Sequence, residues 1–120
     1  MTKVAVLGAS DKEDRYSNKA VKLLLEKGHE VYPIHPKLKT IESLTVYPSL
    51  DDLPEPMHTI SVYVSPDIST NLKETILNSK VQRVIFNPGS ENPDLEASFK
   101  EAGIEVLEAC TLVLLKTGQF

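Results

Sequence analysis

Gly8-Ala9-Ser10 and Arg15-Tyr16-Ser17 bracket the segment of this chain best suited to chemistry. Gly8 follows the apolar run Val4-Ala5-Val6-Leu7. A glycine there lets the backbone turn sharply and approach a ligand closely. Ser10 offers a hydroxyl, and Arg15 offers a planar fork of donors that suits a phosphate. Ser17 is placed to cap a helix starting near Asn18, and the amides at such a start attract anions. The same residues also suit a plain strand-to-helix turn with a solvated charge run, and the motif alone does not choose between the two.

The segment is not a dinucleotide fingerprint. That pattern needs Gly-x-Gly-x-x-Gly opening directly into a helix, and the positions here are Gly8, Ser10 and Glu13. An NAD site also needs an acidic residue at the end of the second strand. This chain has His35-Pro36-Lys37-Leu38-Lys39 there. Basic residues at that point suit a ligand with an additional phosphate on its ribose, such as NADP or coenzyme A. Solvated surface lysines are the plainer reading of Lys37 and Lys39.

Other reactive residue types lack partners in sequence. His29 and His58 have no neighbouring acid–base groups and read as surface histidines. His35 alone sits at a ligand-facing strand end, where it stacks, donates or simply packs. Cys110 has no histidine or arginine beside it to lower its pKa, so a small buried hydrophobe is the expectation. Asp51-Asp52 reads as the first turn of a short helix after Ser49 rather than as a metal site. Tyr16, Tyr32, Tyr47 and Tyr63 are not interleaved with basic residues as a single-stranded nucleic-acid surface would require.

The elements that position these residues follow from apolar periodicity. Val4–Leu7, Val31–Ile34, Ile60–Val64, Val84–Phe86 and Glu105–Leu107 read as strands. Ala20, Leu23, Leu24 and Lys27 share helical spacing and end at Gly28. Ser65-Pro66 and Asn92-Pro93 read as N-caps with proline at the first helical position. Ile68, Leu72 and Ile76 form one stripe after the first, and Leu95, Phe99 and Ala102 form another after the second. Residues 37–58 are irregular apart from a turn at Leu50–Leu53, and residues 111–117 read as a last helical turn or two. Strands alternating with helices indicate an α/β fold with a parallel sheet, helices on both faces and ligands at the carboxyl ends of the strands.

Composition sets the limits. The 120 residues carry a formal charge of −4, with 41% apolar and 25% charged residues. The length fits one domain over 1–120. The acidity argues against a general nucleic-acid binder, and no apolar run is long enough for a membrane span. One cysteine and no leader-like apolar start point to the cytoplasm. The charge is uneven: residues 1–40 hold eight basic and five acidic residues, and residues 41–120 hold five and twelve. The positive surplus therefore coincides with the candidate anion segments.

Taken together, Val4 to Ser10, Arg15-x-Ser17, Val31 to Pro36, Tyr47 to Pro54 and Asn87-Pro88-Gly89 resemble the small CoA-binding-domain proteins. These resemble in turn the N-terminal CoA-binding domain of the succinyl-CoA synthetase alpha subunit and of ADP-forming acyl-CoA synthetases. The resemblance runs from Val4 to Cys110. It implies a Rossmann-like three-layer domain with a five-stranded parallel sheet of order 3-2-1-4-5. It also implies that Gly8, Ala9, Ser10, Arg15 and Ser17 hold the phosphates of CoA, and that His35, Pro36 and Lys37 border the adenosine and its 3′-phosphate. Val64, Ser65 and Pro66, with Asn87, Pro88 and Gly89, would line the pantetheine path. The chain departs from the family at His35, where asparagine is usual, at Asn87, where glutamine is usual, at Ser43-Leu44, where a glycine is usual, and at Ala109, where an arginine is usual.

The resulting expectation is a module that binds CoA or acyl-CoA, a small nucleotide ligand, without catalysis of its own. It would need no metal, nucleic acid or membrane, and a protein partner stays open. An NADP-dependent enzyme, or a detached subunit of an acyl-CoA ligase, is the first alternative. A ligand-free protein-interaction module is the second.

Overall fold

The computed structural model describes residues 2–120. Strand β1 (Lys3–Leu7) is buried from Val4 onward because both of its faces are covered. Ala5 and Leu7 pack into one core, and Val4 and Val6 into the other. This period of two is what a strand between two helical layers produces. Helix α1 (Tyr16–Glu26) buries Ala20, Val21 and Leu24. It ends at Gly28 with φ 87°, where His29 N donates to Leu24 O at 3.0 Å.

The main sheet has the order β2-β1-β5-β6-β7, with β2 at Glu30–Ile34, β5 at Thr59–Val62, β6 at Arg83–Phe86 and β7 at Glu105–Glu108. Every pairing in it is parallel. Tyr47 adds a single parallel bridge to Ile34 on the outer side of β2. Its N–H donates to Pro33 O at 3.0 Å, and its carbonyl accepts from His35 N at 3.1 Å. The chain thus visits the position outside β2 before crossing back to β5. With that bridge counted, the winding is the expected 3-2-1-4-5, and β7 extends the sheet by one strand.

Helix α4 (Pro93–Glu101) starts as the Asn92-Pro93 pair predicts. Asn92 Oδ1 accepts from Leu95 N at 3.4 Å, and Glu96 reaches back to accept from Asn92 N at 2.9 Å. Leu95 and Phe99 are buried, and Phe99 stacks on Phe86 with ring centroids 6.3 Å apart. Helix α5 (Thr111–Lys116) is the expected last turn and packs beside α1.

The structure corrects four sequence expectations. The Ile68-Leu72-Ile76 stripe is not one helix but two short ones, α2 (Pro66–Thr70) and α3 (Lys73–Asn78). Ile76 is buried, whereas Ile68 lies beyond the core and is exposed. Ala102 is likewise exposed, as the C-cap residue of α4. Ser49 and Ser65 stand at the expected N-cap positions, with Pro66 opening α2, but neither side chain makes a capping bond; Ser49 Oγ donates to the Asp52 carboxylate at 2.9 Å instead. Residues 37–58 hold a small antiparallel hairpin, β3 (Thr40–Ile41) and β4 (Leu44–Thr45). Its turn places Glu42 and Ser43 at φ 50° and 66°. Hairpin turns of that hand normally carry glycine or asparagine, so the sequence gives no signal for this one.

No helix among the described residues is long and apolar enough to cross a membrane.

Candidate functional site

The predicted site residues converge at the carboxyl ends of β1, β2, β5 and β6. Gly8 has φ 88°, a left-handed conformation. A Cβ on Gly8 would come within 2.9 Å of Val64 Cγ1 and 3.3 Å of the Tyr63 and Val64 backbone. Glycine is thus required twice here, for its conformation and for the space it leaves. Gly8 N and Ala9 N both donate to Ile34 O, at 3.3 and 3.1 Å. These bonds tie the start of the loop to the end of β2, and Ala9 is buried beneath it.

From there the loop runs out to solvent, and Asp11 to Tyr16 are exposed. Ser10 Oγ accepts from Lys12 N at 3.1 Å, so it shapes the loop from within. Arg15 N donates to Lys12 O at 3.1 Å and closes the last turn before the helix. Arg15, rather than Ser17, occupies the N-cap position of α1, and no side chain caps that end. Ser17 is buried inside the first turn. The cap expected of Ser17 fails because the helix begins two residues earlier than the periodicity suggests. The first-turn amides of α1 therefore lack a side-chain acceptor.

Asn18, fully buried in that turn, was missed as a site residue. Its Nδ2 donates to Ser10 O at 2.9 Å and pins the loop to the helix. Its Oδ1 is buried and has no hydrogen-bond partner. Buried polar atoms are nearly always paired, and as an acceptor this oxygen has no bond to offer a phosphate.

His35 is half-buried, and its Nδ1 accepts from Lys37 N at 3.0 Å and Leu38 N at 3.1 Å. The ring shapes the turn that presents the exposed Pro36 and Lys37. Asparagine is a common acceptor for its own following amides, and the His35 ring nitrogen makes the same kind of turn.

Asn87 is consumed by structure. Its Nδ2 donates to Ser61 Oγ and Val62 O at 2.9 Å each, and its Oδ1 accepts from Thr111 N at 2.8 Å. It joins β5, β6 and the start of α5. Pro88 and Gly89 are exposed beyond it, with Gly89 at φ 94°. Val64 is partly buried and Ser65 and Pro66 are exposed. Behind them the Ser61 and Thr111 hydroxyls bond each other at 2.8 Å. The Tyr63 hydroxyl is buried nearby with no partner, and burial pushes its phenol up to about 12.

The β7 side of this edge is acidic. A hydrogen bond from Glu96 holds the Glu108 carboxyl above the usual carboxylate range, with Glu96 and Glu91 charges adding to the effect. Cys110 is half-buried rather than fully buried, at the N-cap position of α5. His58 is half-buried with Nδ1 2.7 Å from Thr59 Oγ1, away from the ligand edge. Cavities of about 390 and 420 Å³ lie elsewhere, one beside Leu50 and Met57 and one beside β2 and β4. The Gly8–Ser17 loop instead borders open surface.

A family model described as "CoA binding domain" matches residues 2–116. The chain belongs to the CoA-binding-domain family. It is 30% identical over 102 residues to acetate–CoA ligase (ADP-forming) I of Archaeoglobus fulgidus, covering 85% of this chain and 14% of that protein. The chain therefore spans a small part of that ligase. A crystal structure of an uncharacterized protein superposes with TM-score 0.94 at 37% identity, over 100% of this chain and 98% of the other. A hypothetical protein from Pyrococcus horikoshii OT3 superposes with TM-score 0.91 at 28% identity, over 97% and 82% of the two chains. The CoA-binding-domain fold thus accounts for the whole sheet.

Proposed function

We propose that this chain is a single binding domain for CoA or an acyl-CoA, with no catalytic step of its own. The observation that supports it most is the Gly8 turn. Its missing Cβ lets the loop lie against Val64, next to a helix start that no side chain caps. A phosphate group fits that place on chemical grounds, because amides without acceptors and an exposed Arg15 offer donors together.

In this reading the Gly8–Ser17 backbone and Arg15 hold the pyrophosphate. Lys37, presented by the His35 turn, meets the 3′-phosphate. Val64, Ser65 and Pro66 border the pantetheine on one side, and Pro88 and Gly89 on the other. Asn87 acts indirectly, by fixing the strand end that carries Pro88. The match to a portion of an ADP-forming ligase supports a second reading, a detached ligase part that works beside a separate chain.

Calorimetric titration with CoA, 3′-dephospho-CoA and NADP tests the proposal. CoA binding is expected, and its absence at millimolar concentration would sink the idea. Arg15→Ala should weaken CoA by about tenfold, the scale of one charge-assisted contact. That loss should exceed the loss caused by removing the 3′-phosphate. Equal binding of CoA and dephospho-CoA would remove the role given to Lys37.

A further inference from the structure

The β3–β4 hairpin brings a carboxylate to the candidate anion loop. Glu42 Oε2 lies 3.5 Å from Asn18 Nδ2 in the first turn of α1. The same oxygen is 4.0 Å from Lys22 Nζ, one turn further along the helix. Lys22 also meets Glu13 of the loop at 3.3 Å. Lys22 therefore links loop and hairpin through two carboxylates. Asn18 is the residue that ties the loop to the helix and carries the buried, unpartnered Oδ1.

The placement depends on a strained turn. Glu42 and Ser43 both have positive φ, which residues with a Cβ rarely adopt. That turn aims Glu42 back at α1. The contacts it makes there are weak and solvent-screened, since the Lys22 and Glu42 side chains are 42% and 30% exposed. A carboxylate held so loosely is easily displaced by a better anion.

We infer that Glu42 is a specificity-determining residue: a resident anion at the α1 start that competes with phosphate ligands and lowers their affinity. This rests on the anion-binding reading of the Gly8–Ser17 loop. The carboxylate satisfies Asn18 Nδ2 and half of Lys22 in the free protein. A pyrophosphate group arriving at the loop meets that negative charge and must push it aside. The chain thereby favours ligands that add contacts beyond the phosphates over free inorganic anions.

The test uses the full chain and inorganic pyrophosphate, with CoA titrated separately. Glu42→Gln keeps the side-chain shape and removes the charge. It should raise pyrophosphate affinity about three- to tenfold at ~0.01 M salt, where a single charge is little screened. The gain should vanish at ~1 M salt. Glu26→Gln makes the same change of net charge at the far end of α1 and should leave affinity unchanged. An equal gain in Glu26→Gln, no gain in Glu42→Gln, or no pyrophosphate binding by either protein overturns the inference. If the wild type binds CoA while Glu42→Gln gains nothing, only the Glu42 role falls. If Glu42→Gln gains on pyrophosphate while no protein binds CoA, only the CoA reading falls.

Discussion

Gly8→Ala puts the geometry of the site to a direct physical test. The new methyl group brings two costs. The first is conformational, because φ at this position is 88°. An L-residue in the left-handed region is disfavoured by roughly 1–2 kcal/mol. The second is steric, because the Cβ would stand 2.9 Å from Val64 Cγ1 and 3.3 Å from two backbone atoms. The backbone cannot swing away as a side-chain tip can, and overpacking of this kind costs about 1–3 kcal/mol. Loss of glycine's unfolded-state entropy returns roughly 0.4–1 kcal/mol. The expected net loss is about 2–4 kcal/mol, or roughly 8–16 °C in Tm for a chain of this size. Gly28→Ala is the control: its φ is 87°, but nothing lies within 4 Å of its Cβ. It carries only the conformational cost, about 1 kcal/mol. Urea denaturation monitored by circular dichroism gives both numbers. Combining Gly8→Ala with Val64→Ala should recover about 1 kcal/mol of the steric part in a double-mutant cycle. Gly8→Ala and Gly28→Ala falling within about 0.5 kcal/mol of each other would refute the claim of close approach.

Asn87→Ala should cost about 2 kcal/mol, because it strands Thr111 N inside the protein and takes one bond each from Ser61 Oγ and Val62 O, which keep Thr111 Oγ1 and Ser90 Oγ as partners. Amide exchange should accelerate in α5 before it does in α1, and a loss below about 1 kcal/mol would contradict the structural role given to Asn87. Acid should weaken the fold through His29, whose Nδ1 accepts from Thr2 N at 3.1 Å. Burial and the Arg83 charge lower its pKa below the ordinary 6.5. The unfolded chain then takes up the proton first, so the stability His29 contributes is present above pH 6.5 and is lost as pH falls through that value. His29→Gln should flatten the stability profile between about pH 7 and 5, and an unchanged slope would show that another group is responsible.

The α/β architecture was legible because its strands are covered on both faces. Val4–Leu7 and Val84–Phe86 are continuous apolar runs, and burial of both faces leaves no polar alternation to confuse the period. The Asn92-Pro93 start was legible because capping is local: Oδ1 needs only the amide three residues on. The β3–β4 hairpin was not, since Glu42 and Ser43 adopt a turn that tertiary packing imposes against their preference. The broken α2–α3 pair escaped for a related reason. A four-residue spacing does not reveal that the chain tightens at Asn71 and Leu72, where Leu72 N donates to Ser69 O at 2.9 Å. At the site, the glycine and the phosphate-suited side chains were visible as residue types. Asn18 and Glu42 were not, because their importance lies in a contact across the fold that no spacing encodes.

Charge across the strand ends gives the site a polarity. Arg15 stands on the exposed turn after β1, and Lys37 and Lys39 on the exposed turn after β2. Glu91 and Glu96 follow β6 and meet Glu108 at the end of β7, where a hydrogen bond with Glu96, and then the Glu96 and Glu91 charges, lift the Glu108 pKa. Ala109 supplies no cation to offset them, unlike the arginine usual in the family. A polyanion laid along this edge therefore keeps its phosphates over β1 and β2. The reverse orientation would set phosphates against this acidic cluster, which Lys100 offsets only in part. In the proposed reading, a thioester end carried toward β6 would meet the neutral Pro88-Gly89 turn first and the acidic cluster beyond it. Glu42, brought by its hairpin to 3.5 Å from Asn18 Nδ2, joins Asp11, Glu13 and Asp14 of the loop as a carboxylate on this side, and its contact with Asn18 is why its charge bears on anion affinity while Glu26, remote on the same helix, does not.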